Sequence, residues 1–346
     1  MNKWYEKREE DSIVISSRVR LARNLAEYHF SGKMKEKEAQ ELTQSVRDRV
    51  AQLEGIDGMK YYSCNVNKLS ELEKASLKEW YIISDLLVGR RQETGLVLSE
   101  DEGISIMINE EDHIRIQSVA PGADLEEAYR RAEGVDNCLE ELGYAYDDRY
   151  GYLTTSPLNA GTGMRASYLM FLPAINMTGK IQKLADEVGK YGVAIRGIPG
   201  EGTNTHAYLY RISNQKTLGC SEKEIMGNLR QIMNQIVGQE QKYRDYLCKV
   251  GADDIEDKVY RSYGVLRYAK RISTEDGLLL LAQLKLGRDL GMIPLKKSLS
   301  LYEQMMRIQP ANLQKVYGKS MESKERAAYR GEYLNKLMAQ GLTSSI

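Results

Sequence analysis

At residues 104–115 the chain reads Ile104-Ser105-Ile106-Met107-Ile108-Asn109-Glu110-Glu111-Asp112-His113-Ile114-Arg115. The alternation over residues 104–108 predicts a half-buried strand that carries the three carboxylates to a sheet edge or loop. Adjacent carboxylates repel one another, so this segment is costly to fold unless a cation meets it. We therefore expect a site for a cationic group here, with Arg115 available for an anion. A solvated acidic turn is the alternative.

Length and composition exclude several classes of protein. A chain of 346 residues suggests two domains, or one large domain with an extension. Lys+Arg and Asp+Glu both number 49, and this balance argues against a nucleic-acid partner. No apolar run approaches the roughly 20 residues of a membrane span, and the N-terminus lacks a signal-peptide core. The four cysteines form no CxxC or Cys/His cluster, which is typical of reduced thiols in a cytoplasmic protein.

Hydrophobic periodicity predicts an α+β fold followed by helices. Beyond Ser221 almost everything has helical periodicity, beginning with a stripe formed by Ile225, Leu229, Ile232 and Ile236. We therefore expect an α+β catalytic domain over residues 1–250 and an all-helical C-terminal domain over residues 251–346. Strands are predicted at 12–17, 96–98, 104–108, 114–119, 193–195 and 206–212, and helices at 35–52, 69–87 and 124–142.

Arginines recur at strand ends and in glycine-bearing loops. Two lie two residues apart on the first strand, so their side chains share one face. Arginine suits phosphate because its planar fork donates bidentate hydrogen bonds and keeps its charge, and neighbouring glycines let a backbone approach a ligand. The Gly161-Thr162-Gly163 turn alone is a weak signal, since it is neither a Walker A motif nor a dinucleotide fingerprint. The set is Arg18, Arg20, Arg115, Arg165 and Arg196.

The arginines belong to longer motifs, which follow one another along the chain. The motifs are Ser16-Ser17-Arg18-Val19-Arg20, residues 109–115, Pro157-Leu158-Asn159-Ala160-Gly161-Thr162-Gly163-Met164-Arg165-Ala166-Ser167, and Val193-Ala194-Ile195-Arg196-Gly197 followed by Gly200-Glu201. In combination these motifs resemble the guanidino (phosphagen) kinase family, and most closely its bacterial protein arginine kinases. The similarity extends from about residue 10 to at least residue 295. It implies an antiparallel sheet flanked by helices, of the glutamine-synthetase-like kind.

The resemblance also implies roles for individual residues. The five arginines, together with Ser17, would grip the phosphates of ATP, which enters with Mg²⁺, and no protein side chain is expected to ligate the metal. Glu111 would bind and orient the target guanidinium and serve as its base. Glu201 would be the second carboxylate that holds this guanidinium.

Two positions depart from the family pattern. The family usually has a cysteine where this chain has Ser156, so one negative partner of the guanidinium is missing. We expect less efficient transfer and resistance to thiol alkylation. The regulatory Arg-Asp-x-x-Arg-Ala motif, which binds phosphoarginine, reads Arg326-Ala327-Ala328-Tyr329-Arg330-Gly331 here. We expect weak or absent phosphoarginine binding, with Arg326 and Arg330 as two surface arginines.

The expected activity is ATP-dependent phosphorylation of arginine side chains in proteins. The first arginine motif begins at Ser16, which leaves no room for the N-terminal helical domain of small-molecule phosphagen kinases. A small-molecule arginine kinase and a weakly active adaptor that binds ATP or phosphoarginine remain alternatives. The resemblance further implies a homodimer, a zinc-binding activator protein, delivery of marked proteins to a Clp ATPase and protease, and a role in the stress response. His113 is expected to be structural rather than a proton carrier.

Overall fold

An eight-stranded antiparallel sheet forms the centre of the molecule. The computed structural model describes residues 3–6, 13–54, 58–198, 205, 207–296 and 299–341. Within them the sheet has the order β2-β3-β4-β5-β1-β8-β10-β9, and β6 pairs with β7 separately. The strands are β1 (Val14–Arg23), β2 (Tyr61–Asn65), β3 (Gly95–Ser99), β4 (Ile104–Ile108), β5 (Ile114–Pro121), β6 (Tyr146–Asp147), β7 (Gly151–Tyr152), β8 (Met164–Phe171), β9 (Val193–Ile198) and β10 (Leu209–Asn214).

Helices cover both faces of this sheet. Helical segments follow the strands at first, and beyond residue 221 they make up the remaining elements of the described chain. The helices are α1 (Glu36–Val50), α2 (Glu71–Glu79), α3 (Asp85–Gly89), α4 (Leu125–Leu139), α5 (Pro173–Met177), α6 (Ile181–Gly189), α7 (Glu222–Tyr268), α8 (Thr274–Asp289), α9 (Leu301–Arg307), α10 (Pro310–Tyr317) and α11 (Ser323–Gly341).

The β4–β5 hairpin contains the strand predicted over residues 104–108, but β4 is buried on both faces rather than half-buried, because helices cover both sides of the sheet. Ile106 and Ile108 lie opposite Ile116 and Ile114, and all four are fully buried on one face. Asn109 closes the turn with a φ of 60°, and its backbone N–H donates to the carbonyl of His113 (2.8 Å). Asparagine tolerates this left-handed conformation better than most residues, which explains its place before the carboxylates.

The single helix predicted over residues 69–87 is wrong. The structure has α2 and α3 instead, separated at Trp80–Ser84, with Tyr81 at a φ of 57°. The chain is held in this turn because Gln117 Nε2 donates to the carbonyl of Tyr81 (2.9 Å). Ser84 then starts α3 by accepting a hydrogen bond from the backbone N–H of Leu87 (3.1 Å). Helical periodicity could not reveal this break, since a tertiary contact produces it.

Each face of the sheet has its own core. One face packs against α1, α4 and the first half of α7, and it buries Val19, Leu21 and Tyr168 among others. On the opposite face, Phe171 and Leu209 share a core with the C-terminal helices. Burial of apolar surface on both sides stabilises the three layers.

α7 crosses the boundary that we predict between residues 250 and 251. It begins with a capping box in which Ser221 and Glu224 exchange hydrogen bonds, and it is kinked at Gly251, whose φ and ψ are −162° and 41°. Because the helices beyond the kink share a core with the sheet, the division into two domains remains a prediction. No helix in the described part of the chain is long and apolar enough to cross a membrane.

A half-buried carboxylate joins α2 to the C-terminal helices. Glu79 accepts hydrogen bonds from the backbone N–H groups of Ala311 and Asn312 (2.7–3.0 Å) at the start of α10. Ser76 Oγ donates to Asn312 Oδ1 (2.7 Å) beside it. A carboxylate at a helix N-terminus satisfies free N–H groups and stabilises the helix dipole. These contacts fix the end of α2 against α10.

Candidate active site

Of the three adjacent carboxylates, Glu110 has both oxygens occupied by hydrogen bonds within the protein. Its side chain is 1% exposed, and Oε1 accepts hydrogen bonds from Arg115 Nη1 and Ser84 Oγ. Oε2 accepts from the backbone N–H of Glu111 (2.7 Å). These bonds outweigh the burial penalty, so the pKa of Glu110 lies below its usual value despite desolvation. Glu110 therefore fixes both Arg115 and the loop.

Asp112 and His113 anchor the other side of the loop. Asp112 Oδ1 accepts from Asn24 Nδ2 and from the backbone N–H of Thr155 (both 2.7 Å). His113 is fully buried, with Nδ1 accepting from the Leu25 N–H (3.0 Å) and Nε2 3.0 Å from the His29 carbonyl. These partners assign the proton to Nε2 of a neutral ring, and burial lowers the pKa of His113. The expectation of a structural His113 agrees with these contacts.

Glu111 is the carboxylate that this arrangement leaves available. Its backbone carbonyl accepts from Ser31 Oγ (2.8 Å), while its carboxylate has no hydrogen bond or ion pair within the described residues. Partial burial raises the pKa of Glu111, and the neighbouring charges of Asp112 and Glu110 raise it further. A half-exposed carboxylate of raised pKa on a rigid loop can bind a cation and accept a proton.

The arginines lie on one face of the sheet, which we call the arginine face. Cross-strand neighbours share a face, and Arg20 pairs with Arg165 while Ala22 pairs with Arg115. Towards the β9 edge of the sheet, on the same face, Arg196 pairs with Arg211. Arg211 is an arginine that the sequence interpretation missed. The arginine face comprises Arg18, Arg20, Arg115, Arg165, Arg196 and Arg211.

This face carries far more positive than negative charge. Burial lowers the pKa of Arg18 well below its usual value, and the charges of Arg20, Arg211, Arg115 and Arg165 lower it further. The buried Nε atoms of Arg18 and Arg20 have no hydrogen-bond partner in the described part of the chain. Because guanidinium groups keep their protons, such a cluster is costly to hold without a polyanion. The arginine face therefore suits a polyanionic ligand.

The side chain of Ser17, which the resemblance implies as an ATP ligand, lies apart from this cluster. Ser17 alternates with Arg18 along β1, so its side chain lies on the opposite face of the sheet. Ser17 is fully buried there, and its hydroxyl donates to the carbonyl of Gly122 (2.8 Å). Its role is to fix β1 against the turn after β5.

The segment with Ser156 lies against the acidic loop. Thr155 donates its N–H to Asp112, and Thr154 Oγ1 donates to the carbonyl of half-buried Ser156 (2.7 Å), so the residues next to Ser156 are tied to the acidic loop and to Ser156 itself. The glycines that follow are needed for close contacts within the protein. A Cβ on Gly161 would lie 2.3 Å from the Thr217 carbonyl, and one on Gly163 would lie 2.5 Å from Arg23.

Residues 199–204, which include Glu201, lie outside the described residues. Arg196, just before them on β9, is exposed. Burial lowers the pKa of Arg165, and the positive charge of Arg196 lowers it further.

The expectation of two surface arginines in the C-terminal motif is wrong for Arg330. Its side chain is 2% exposed, with Nε donating to the Ile308 carbonyl (2.8 Å) and Nη1 to the Ile272 carbonyl (2.9 Å). Arg326 is half-buried, and its Nη1 donates to the Met321 carbonyl (2.7 Å). Both arginines therefore serve packing among the C-terminal helices.

Sequence reasoning also missed the parts played by Glu110 and Gln117. Nothing in the sequence distinguishes Glu110 from Glu111 and Asp112. Only its burial in the structure does so. Gln117 lies opposite Arg20 on β5 and binds Arg18 Nη1 (3.4 Å). The spacing of Gln117 from Arg115 does signal a shared face, because residues two apart on a strand point the same way.

Comparison with known proteins identifies the family. Residues 41–243 match the family described as ATP:guanido phosphotransferase, C-terminal catalytic domain. The chain belongs to this family. Residues 252–344 match the protein-arginine kinase McsB C-terminal domain, so this member of the ATP:guanido phosphotransferases falls in the McsB branch. The chain is therefore a guanidino kinase.

Curated relatives of this guanidino kinase match along almost the whole chain. The protein-arginine kinase of Caldanaerobacter subterraneus subsp. tengcongensis is 40% identical over 94% of this chain and 97% of its own length. That of Halothermothrix orenii is 41% identical over 94% of this chain and 93% of its own length.

Solved structures confirm the fold. A crystal structure of lombricine kinase has a TM-score of 0.58 at 24% identity and covers 68% of each chain. The substrate-free duplicated taurocyamine kinase from Schistosoma mansoni has a TM-score of 0.60 at 22% identity, over 77% of this chain and 39% of that chain. At such identities the likeness shows the fold alone, and it confirms the predicted antiparallel sheet flanked by helices.

Proposed function

We propose that this chain transfers the γ-phosphoryl group of ATP to arginine side chains of proteins. The observation that carries the proposal is the position of Glu111. It is the one carboxylate of its loop left without a described partner, at the end of the face that presents Arg20, Arg115 and Arg165. A guanidinium held by Glu111 would lie next to phosphates held by these arginines.

Phosphoryl transfer requires in-line positioning and the neutralisation of spread negative charge. Arg18, Arg20, Arg115, Arg165 and Arg196 would hold the ATP phosphates, with bidentate hydrogen bonds that strengthen as charge develops. Glu111 would align the attacking nitrogen and accept its proton as the N–P bond forms and the bond to ADP breaks. Glu201, which the resemblance implies, would hold the other side of the guanidinium.

Mg²⁺ would enter bound to ATP. No group of three or more His, Cys, Asp or Glu that could hold a metal lies within the described residues. Mg²⁺ commonly binds substrate phosphates with few protein ligands, and it would neutralise charge on the transferring phosphoryl group. The unpaired arginines fit a magnesium–nucleotide complex, since its net charge is still negative.

Ser156 would make the guanidinium site less negative than a thiolate would. A serine hydroxyl stays neutral at pH 7, so the alignment of the guanidinium rests on Glu111 and Glu201. We propose that transfer proceeds at a reduced rate.

Several partners follow from the same family membership and are part of this proposal. The catalytic unit is residues 1–250, and residues 251–346 form a helical unit for dimerisation and regulation. The protein substrates carry exposed arginines, and a zinc-binding activator and a Clp ATPase with its protease act with the enzyme in the cytoplasm during stress. Since Arg330 donates to two backbone carbonyls, regulation by phosphoarginine is expected to be weak.

A labelling experiment tests the proposed reaction. Incubation with ATP, Mg²⁺ and casein should give acid-labile, alkali-stable phosphate on the protein, whereas free arginine should remain unlabelled. Labelling of free arginine in preference to casein would reassign the chain as a small-molecule guanidino kinase. Nucleotide binding without any transfer would support an adaptor instead.

A further inference from the structure

An exposed leucine lies in the turn that follows Ser156. Leu158 is the middle residue of a short 3₁₀ turn, Pro157–Asn159, and it is 78% exposed. No large apolar side chain in the described part of the chain is more exposed. A leucine exposed on its own needs no explanation, so the residues around Leu158 decide what its exposure means.

A second exposed leucine lies beside the first. Thr217 Oγ1 donates to the carbonyl of Leu158 (2.9 Å), and the residue after Thr217 is Leu218, which is 51% exposed. Asn159 donates its backbone N–H to the Ser156 carbonyl (2.9 Å), which closes the turn. Because these bonds hold the backbone, Leu158 remains at the surface, and only another molecule can remove its side chain from water.

The β6–β7 hairpin adds two exposed rings, those of Tyr146 and Tyr150. Tyr152 packs edge-on against Tyr146, with ring centroids 5.3 Å apart, and donates its backbone N–H to the carbonyl of Gly161 (2.8 Å). The hairpin is therefore joined to the segment that contains Leu158. Contiguous exposed apolar surface marks interaction sites. We use the name apolar patch for Tyr146, Tyr150, Leu158 and Leu218.

The apolar patch begins next to the acidic loop. Thr155, three residues before Leu158, donates its backbone N–H to Asp112 (2.7 Å), and Asp112 follows Glu111 directly. Three residues of chain span at most about 11 Å. An extended peptide covers that distance in three to four residues, at about 3.3 Å each. A polypeptide whose arginine reaches Glu111 can therefore place a side chain about three or four positions away against Leu158.

We propose that the apolar patch binds an apolar side chain of the protein substrate, three or four positions from the target arginine, with Leu158 as a specificity-determining residue. The proposal rests on the proposed transfer to protein arginines, because free arginine has no such neighbour. Burial of this side chain against Leu158 removes apolar surface of both molecules from water. A second copy of the chain fits this surface less well, since it would cover the turn beside Glu111 and obstruct a protein substrate.

Peptides that contain a single arginine give a direct test. Two peptides differ at one position, three residues from the arginine, where one has leucine and the other has serine, and such a pair is made for each side of the arginine. Initial rates with ATP and Mg²⁺ give kcat and KM for wild type, L158S, L158E and V316S. V316S is the matched control, because Val316 is an exposed apolar residue on α10.

We expect wild type to prefer the leucine peptide of one pair by about tenfold in kcat/KM. The difference should lie in KM, since contact with a remote side chain binds the ground state and the transition state alike. L158S should reduce the preference to about twofold, because most of the apolar contact is lost. L158E should favour a peptide with lysine at the same position, since it replaces the apolar contact by an opposite charge. V316S should keep the wild-type preference.

Other results overturn the proposal. Equal kcat/KM of wild type for both peptides of each pair, or a preference that L158S and L158E leave unchanged, would mean that the apolar patch does not contact the substrate. Transfer to the peptides would in that case still support the proposed function. A wild-type dimer that dissociates in L158S, without a change in peptide preference, would assign the patch to a second copy of the chain. A wild type that phosphorylates free arginine but no peptide would contradict the proposed function and this proposal together.

Discussion

At the scale of single residues, the acidic loop shows how three identical charges acquire different tasks. Glu110 is buried and bound to Arg115 and Ser84, Asp112 is bound to Asn24 and Thr155, and Glu111 alone faces outward without a described partner. The sequence shows where the carboxylates are, but it does not show which of them form hydrogen bonds within the protein. That depends on partners that are distant in the chain.

Substitution of Glu111 and of Glu110 should have opposite kinds of effect. E111Q should lower kcat by about 10²- to 10⁴-fold with a melting temperature close to wild type, because a base is lost but no described contact is. E110Q should lower the free energy of unfolding by about 3 kcal/mol, since it breaks a buried ion pair. Casein labelling and thermal unfolding of both variants check this. A strongly destabilised E111Q with full residual activity would contradict it.

The pH dependence of transfer should follow the raised pKa of Glu111. The base must be ionised, so kcat/KM should fall as the pH drops through a pKa above the usual glutamate value of 4.5. Measuring kcat/KM at a series of acidic pH values, on enzyme pre-equilibrated at each pH, gives the pKa at which the rate falls. If this pKa were at or below the usual glutamate value, Glu111 would not be the base.

His113 should make stability sensitive to acid. Its pKa is lowered from 6.5 in the folded protein, so the unfolded chain binds a proton that the folded one does not. This contribution is fully present above pH 6.5 and is lost as the pH falls through the lowered pKa. H113Q should therefore show a flatter decline of unfolding free energy below pH 6.5 than wild type. An H113Q variant whose unfolding free energy declines as steeply as that of wild type would contradict this prediction.

Ser156 offers a gain-of-function test. S156C should raise the rate of casein labelling, because a thiolate beside the guanidinium adds the missing negative partner. It should also make the enzyme sensitive to iodoacetamide, whereas wild type should resist this reagent. Rapid inactivation of wild type by iodoacetamide would show that another cysteine matters for activity.

At the scale of elements, six strands of the eight-stranded sheet were predicted from the sequence, whereas β2, β8 and the helix interruption were not. Alternation placed β4 at Ile104–Ile108 correctly, and the pairing of Arg18 with Arg20 on one face followed from a period of two. The break between α2 and α3 was missed because Gln117, on another strand, holds the Tyr81 carbonyl. Arg211 was missed because its face depends on the register of β10 against β8 and β9, which the sequence does not show.

The contact between α2 and α10 should contribute measurable stability. E79A removes three hydrogen bonds at the start of α10 and should lower the free energy of unfolding by about 1–2 kcal/mol. Denaturant unfolding measures it. E71A on the same helix is the control, since Glu71 is exposed and pairs only with Lys74, and it should cost little.

At the scale of the whole molecule, charge is balanced overall but sharply segregated. The net charge is zero, yet one sheet face gathers six arginines against a single buried carboxylate, Glu110. Composition therefore excluded a general polyanion binder and gave no hint of this local concentration. The motifs indicated this concentration of positive charge instead, because the arginines lie on strands where their side chains face the same way.

A polyanion should stabilise this molecule strongly. Tripolyphosphate or ATP should raise the melting temperature, since ligand binding to the folded state adds about 2.7 kcal/mol at a hundred times Kd. The shift should shrink in R20Q and R165Q and at high salt, and persist in R261Q, because Arg261 is exposed and pairs with Asp257. An equal shift in all four proteins would mean that the anion binds elsewhere.

The carboxylate of Glu79 has a mechanical consequence. The residues that follow it directly are Trp80 and Tyr81, which line a cleft beside Arg211, while its hydrogen bonds reach the first turn of α10. The turn that contains Tyr81 is also held by Gln117 of β5. One carboxylate therefore connects the C-terminal helices to a turn that is itself attached to the arginine face.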